Sequence, residues 1–261
     1  MIKRTARRLE RVEFSEANQK LRKLADVEAL RQWTRGKVSS IYSFDLLAGH
    51  SCPFAKDCRS RAVETETGRK VVDGRFTQFR CYAASQEARL SNVYNKRKRN
   101  WDTLRDLCRD RSISAKYVAM VLADSMPFAG LIRIHSSGDF FSFKYFEAWV
   151  IIARQNPAMR FYCYTKAIRF VERYESEVGS LPDNLKITAS RGGKDDHLIT
   201  PETPEAVVVY SEAEAEAKGL EIDHDDSHAA TGGQKFALLI HGTQPAGSDA
   251  QRAIVALKGG K

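Results

Sequence analysis

From residue 130 onward, short apolar runs alternate with segments that carry an apolar stripe at helical spacing. The runs 131–135, 160–165, 185–190, 206–210 and 235–241 read as strands. Between them, 142–155 and the stretch ending near Glu177 read as helices. A short Glu/Ala-rich helix is capped by Ser211 and stopped at Gly219. A last helix opens at Ser248, where Gln251 has capping-box spacing. An earlier run, 38–47, adds a sixth strand. Strands separated by helices imply parallel pairing, so the pattern predicts an α/β fold, a partial (β/α) barrel of about six parallel strands. Residues 37–261 form that domain. Residues 1–36, with an apolar stripe of Leu21, Leu24, Leu30 and Trp33, are expected to be a basic helical N-terminal extension.

The middle of the chain departs from this alternation. Gly68 and Gly74 punctuate 59–80, which suggests a small hairpin inserted in a loop. A helix is expected over 82–90, running into the basic run Lys96-Arg97-Lys98-Arg99, with two more near 101–109 and 115–125. Residues 220–234, rich in Asp, His and Gly, read as a long loop. Its acidic and imidazole groups suit proton transfer or a second metal, and equally suit a solvated loop.

Cysteine usage changes the picture. Three of the five cysteines, Cys52, Cys58 and Cys81, fall in one window after the first strand, in Cys-Pro-Phe-Ala-Lys-Asp-Cys and Arg-Cys-Tyr-Ala. No apolar run is long enough to span a membrane, and no secretory leader is seen, so a cytoplasmic, reducing location is expected. There, clustered thiols are metal ligands rather than disulfides. Structural zinc favours four ligands in paired knuckles, and none occurs here. A [4Fe-4S] cluster accepts three thiolates at irregular spacing, so it is the expected cofactor, with zinc the alternative. Cys163, Asp139, His135 or a non-protein group could supply a fourth ligand. Cys108 reads as a bystander.

In parallel α/β folds, chemistry collects where strands end. The ends read off here include His135, Ser137, Gly138 and Asp139; Tyr164, Thr165 and Lys166; Thr188 and Ser190; and His241. His135, Asp139 and His241 are the candidate catalytic side chains. Ser137, Gly138, Thr188 and Ser190 are the candidate cofactor contacts. The formal charge of +9 adds nucleic acid as a candidate partner, approached through the basic helices.

The cysteine segment, with Arg-Ile-His-Ser-Ser-Gly-Asp-Phe, Tyr-Thr-Lys and Leu-Ile-His-Gly, resembles a group of bacteriophage-encoded proteins over roughly residues 38–257. That group is in turn similar to radical S-adenosylmethionine proteins, which carry a partial (β/α)6 barrel and a three-cysteine [4Fe-4S] site after the first strand. The resemblance implies a cluster on Cys52, Cys58 and Cys81 in the host cytoplasm. It also implies an amino-group contact for S-adenosylmethionine at Ser137-Gly138-Asp139. The radical-enzyme motif is a compact Cys-x-x-x-Cys-x-x-Cys, whereas here five residues separate the first pair and an insertion separates the second. Two functions follow as expectations: a radical-type or other redox enzyme, or a non-catalytic cluster-bearing protein that docks nucleic acid or a host protein.

Overall fold

The computed structural model describes residues 11–259. Its strands are β1 (Phe14–Glu16), β2 (Ile41–Phe44), β3 (Ser60–Thr65), β4 (Gly68–Asp73), β5 (Leu131–Ile134), β6 (Arg160–Thr165), β7 (Leu185–Ser190), β8 (Glu205–Val209) and β9 (Lys235–Leu239). The helices are α1 (Gln19–Arg22), α2 (Arg31–Thr34), α3 (Tyr82–Arg89), α4 (Ser91–Arg109), α5 (Ala115–Asp124), α6 (Phe143–Gln155), α7 (Ile168–Glu177), α8 (Glu212–Ala217), α9 (Ser227–Thr231) and α10 (Asp249–Gly259). The main sheet has seven strands in the order β1-β2-β5-β6-β7-β8-β9. All neighbours pair in parallel except β1 with β2. The sheet stays open, with β1 and β9 at its edges. The six parallel strands follow one another in chain order, so the sheet has no point at which winding reverses.

The central strands are buried on both faces, as parallel strands must be. One face carries Phe44, Ile132, Ile134, Phe161, Cys163 and Leu185, covered by Trp149, Tyr145 and Phe146 of α6 and by Val118 and Leu122 of α5. The opposite face carries Ile41, Leu131, Tyr162, Ala206 and Phe236, covered by Leu21, Leu24 and Leu30 and by Ala229 and Ala230 of α9. The register places Arg133 beside Tyr162 on this second face, and Tyr164 beside Thr188.

Several expectations change. Of the helical extension expected over 1–36, residues 1–10 lie outside the described part. Phe14–Glu16 is a strand, because Phe14 packs on Phe44 and Trp149 and the segment can pair with β2. After it come only short helical turns. The first parallel strand shrinks to Ile41–Phe44. Beyond it, Leu46 leaves the ladder and donates its amide to the Ser137 carbonyl at 2.9 Å. The helix expected near 101–109 begins at Ser91, because Tyr94, Arg97, Asn100, Leu104 and Leu107 form one buried stripe. The 220–234 loop contains the one-turn α9, entered through Asp226 at φ 70° and left through Gly232 at φ 89°. The hairpin between Cys58 and Cys81 forms as read, β3 pairing antiparallel with β4. Ser211 caps α8 and Ser248 accepts the Gln251 amide at 3.1 Å.

Candidate functional site

The cysteine loop leaves the carboxyl end of β2 and is fastened at four places. The Asp45 carboxylate accepts the Ser136 and Ser137 amides at 2.7 and 3.1 Å. Glu87 accepts the Ala48 amide at 3.1 Å, the Ser137 hydroxyl at 2.9 Å and the Arg97 guanidinium at 3.1 Å. The amides of Lys56 and Asp57 donate to Gly192 at 3.2 and 3.0 Å, and the Lys194 amide donates to Phe54 at 2.8 Å. Finally, the Cys81 amide donates to Ser60 Oγ at 3.3 Å. The loop is thereby strapped across the carboxyl ends of β2, β5 and β7. Two glycines permit the close approach. A Cβ on Gly138 would lie 2.6 Å from Ser51 Oγ, and one on Gly192 would lie 2.9 Å from Asp57 Oδ2.

These straps leave the three predicted thiols in one neighbourhood, near enough for charge on one to act on another. All three are unpaired cysteines, half-buried at the surface. Burial raises each thiol above its ordinary value, and they raise one another: Cys81 and Cys58 act on Cys52, and Cys58 acts on Cys81. The Cys81 thiol is pushed up to about 12, with the backbone amides of Ala84 and Ala83 at the start of α3 pulling the other way. The Gly49 amide does the same for Cys52, and the Lys166 ammonium for Cys58. Among the described residues, no three of His, Cys, Asp and Glu are arranged to hold one metal ion. The thiolates of a [4Fe-4S] cluster bind separate irons and need no such single focus.

The candidates for a fourth ligand are engaged elsewhere. Cys163 is fully buried in the helix-side core, and its thiol responds to burial, Asp139 and Arg133. His135 adopts φ 69° and turns into the same layer. Its ring packs on Phe140 and Tyr145, and Nε2 lies 2.9 Å from the Tyr145 hydroxyl. Burial, then the Arg133 charge, lowers its imidazole to about 3. Asp139 accepts the Thr165 hydroxyl at 2.6 Å, its own neighbour's amide at 2.7 Å and the Lys166 amide at 2.9 Å. Burial still pushes its carboxyl up to about 6. Asp139 reaches Cys52 and Cys58 only through its charge.

The remaining predicted residues divide. Ser137 and Gly138 lie beside the cysteine loop, as the contacts above show. Ser190 binds Lys166, whose Nζ also donates to the Arg191 carbonyl at 2.6 Å. The Thr188 hydroxyl is buried with no hydrogen-bond partner among the described residues, on the face opposite the large helices. His241 is exposed, its ring 4.7 Å from that of Tyr82. Surrounding side chains, then Lys20 and Arg133, lower its imidazole. Of the acidic groups that the sequence offers in the 220–234 loop for proton transfer or a second metal, Asp226 is fully buried and engaged by cations. Asp226 pairs with Lys20 at 2.6 Å and with Arg133, and accepts the Tyr162 hydroxyl at 3.2 Å. Cys108 on α4 is half-buried against the helix-side core, apart from the other thiols.

Sequence comparison adds a family. The profile of a family described as Gene product 88 matches residues 9–257. The chain is also similar to the Gene 88 protein of Mycobacterium phage L5, at 36% identity over 90 residues. That match spans 33% of this chain and 38% of the phage L5 protein. No solved structure matches the chain.

Proposed function

The chain belongs to the Gene product 88 family, and on that premise we propose that it is a phage-encoded iron–sulfur protein acting in the reducing interior of the host. Cys52, Cys58 and Cys81 hold a [4Fe-4S] cluster at the carboxyl edge of the sheet. The observation that carries this reading is that three free thiols, from separate parts of one strapped loop, lie near enough for charge on one to act on another. Backbone N–H groups of Gly49, Ala83 and Ala84 favour their thiolate forms, as donors to cluster sulfurs do. With the thiols otherwise raised, cluster loading must displace protons, so it weakens as pH falls.

The finer reading is a radical-type redox enzyme on a partial barrel. Six parallel strands in chain order are what a sheet needs to curl that way. Cys163, His135 and Asp139 are each committed to other partners, which leaves one iron for a non-protein ligand such as S-adenosylmethionine. A cluster bound here would supply single-electron transfer and that open coordination position. The chain's own part is positional: Ser137 and Gly138 hold the loop, and Arg133, Tyr164 and Thr188 lie toward the carboxyl ends of their strands on the face that α9 covers.

The test is electron paramagnetic resonance of anaerobically reconstituted, dithionite-reduced protein. The proposal expects a [4Fe-4S]⁺ signal that changes on adding S-adenosylmethionine, with 5′-deoxyadenosine released. A cluster signal indifferent to S-adenosylmethionine, with no 5′-deoxyadenosine, would refute the radical reading and leave a cluster-bearing docking protein. Stoichiometric zinc with no signal would refute both.

A further inference from the structure

The net positive charge of this chain is not where its most basic run suggests. In Lys96-Arg97-Lys98-Arg99 every cation is engaged within the fold. Lys96 donates to Ser15 Oγ at 3.3 Å, and Arg97 sits between Glu87 at 3.1 Å and Asp45 at 3.6 Å. Lys98 pairs with Asp102, and Arg99 with Glu13. On α4 a polyanion would compete with Asp102 and Glu13 for Lys98 and Arg99, while Arg97 is buried. The opposite holds in the cleft of about 380 Å3 between the cysteine loop and the β3–β4 hairpin. Lys56, Arg59, Arg61, Arg75 and Lys194 line it, all exposed. None forms an ion pair among the described residues. The one carboxylate in the lining, Asp73, is already taken by Arg80, at 2.6 Å and 3.1 Å.

One further side chain distinguishes the kind of anion. Phe76 projects from the turn after β4 with 57% of its surface exposed, and the Arg75 guanidinium lies 5.3 Å from its ring. A large apolar ring more than half exposed, in a lining shared with five cations, contributes little to the core. It is the arrangement that tracks a phosphate backbone while offering a face on which a base stacks. The platform is also held in place beforehand. The Gly74 amide donates to the Arg59 carbonyl at 2.7 Å, Thr77 Oγ1 donates to the same oxygen at 3.0 Å, and the six-pair ladder of β3 and β4 backs both.

We infer that the cleft between the cysteine loop and the β3–β4 hairpin binds single-stranded nucleic acid, with Lys56, Arg59, Arg61, Arg75 and Lys194 on the phosphates and Phe76 under a base. The inference stands on side chains other than the cysteines and holds whether or not a cluster is loaded. An exposed ring among unpaired cations selects a strand with free bases over a duplex, whose bases are stacked away, and over an acidic protein segment, which would leave the ring unused.

The experiment is fluorescence anisotropy of the full chain with a labelled oligothymidine of about a dozen nucleotides. If all five cations neutralise phosphates, the slope of log affinity against log salt approaches about −3.5, at about 0.7 per contact. The doubly substituted Arg59→Glu, Arg61→Glu chain should bind at least about tenfold more weakly. Phe76→Ala should bind about five- to hundredfold more weakly while leaving the salt slope unchanged. All these positions are exposed, so the variants should keep the wild-type circular dichroism and melting midpoint. Lys116→Glu on α5, remote from the cleft, should bind as wild type. Equal binding by all variants would overturn the inference, as would equal loss from Lys116→Glu. An acidic peptide that competes as well as the strand, with Phe76→Ala without effect, would also overturn it, assigning the cleft to an acidic protein.

Discussion

His135 makes the sharpest prediction about the layer beneath the site. The residue is 3% exposed, its Nδ1 has no partner among the described residues, and its imidazole is lowered from 6.5 to about 3. The unfolded chain therefore binds more protons than the folded one between those values, so stability due to this residue rises with pH across that window and is lost as pH falls. Going from about pH 7.5 to about pH 5, the unfolded imidazole takes up most of a proton while the folded one stays neutral, which costs about 2 kcal/mol. Asp139, raised to about 6 by burial, acts with the opposite sign between roughly pH 4 and 6. A wild-type pH profile alone therefore mixes the two. Replacing His135 by Asn removes the titration and tolerates the residue's φ of 69°. It also strips the Tyr145 hydroxyl of its partner, a cost that does not depend on pH. Urea unfolding of both proteins at both pH values, in reducing buffer, isolates the effect. Wild type should exceed His135→Asn in stability by about 2 kcal/mol more at pH 7.5 than at pH 5. A gap that is the same at both would refute a neutral, buried His135.

Gly138→Ala should destabilise by at least about 2 kcal/mol, because its Cβ would meet Leu46 Cβ at 2.7 Å at a φ of 95°. Urea midpoints and iron content should both fall; unchanged values would mean the loop is not strapped there. Glu87→Ala should cost about 3–5 kcal/mol in urea unfolding, since it leaves the Arg97 charge and the Ala48 amide buried without their acceptor. A loss under about 1 kcal/mol would show that Asp45 alone balances Arg97. Asp226→Ala should raise hydrogen exchange across α1 and β5, because Lys20 and Arg133 share this buried carboxylate. Unaltered exchange there would remove Asp226 as the tie between the N-terminal segment and the sheet.

What could be read in advance follows from the range of the interactions. The parallel strands announce themselves because each is a continuous apolar run flanked by turn residues, and the caps at Ser211 and Ser248 are local by nature. β1 escaped because three residues with a single phenylalanine carry no period; only Phe44 and Trp149, far along the chain, make it a strand. The first half of α4 escaped because its buried stripe includes Arg97 and Asn100, polar residues that only distant partners permit inside. The same network takes Arg97 out of the basic run and into the interior, where it braces the cysteine loop through Glu87 and Asp45. Ser137, Gly138 and Asp139 follow the carboxyl end of β5, as the strand-end rule expects of residues in that position. That rule could not show that a left-handed backbone at His135 would turn its ring into the core.

Iron and acid-labile sulfide should be counted per chain in anaerobically purified protein, alongside Cys52→Ser, Cys58→Ser, Cys81→Ser and Cys163→Ser. Wild type and Cys163→Ser should each carry about four of both, and the other three variants should show a marked loss. Iron and sulfide retained in Cys52→Ser, Cys58→Ser and Cys81→Ser, or absent from wild type, would contradict a cluster on these three cysteines.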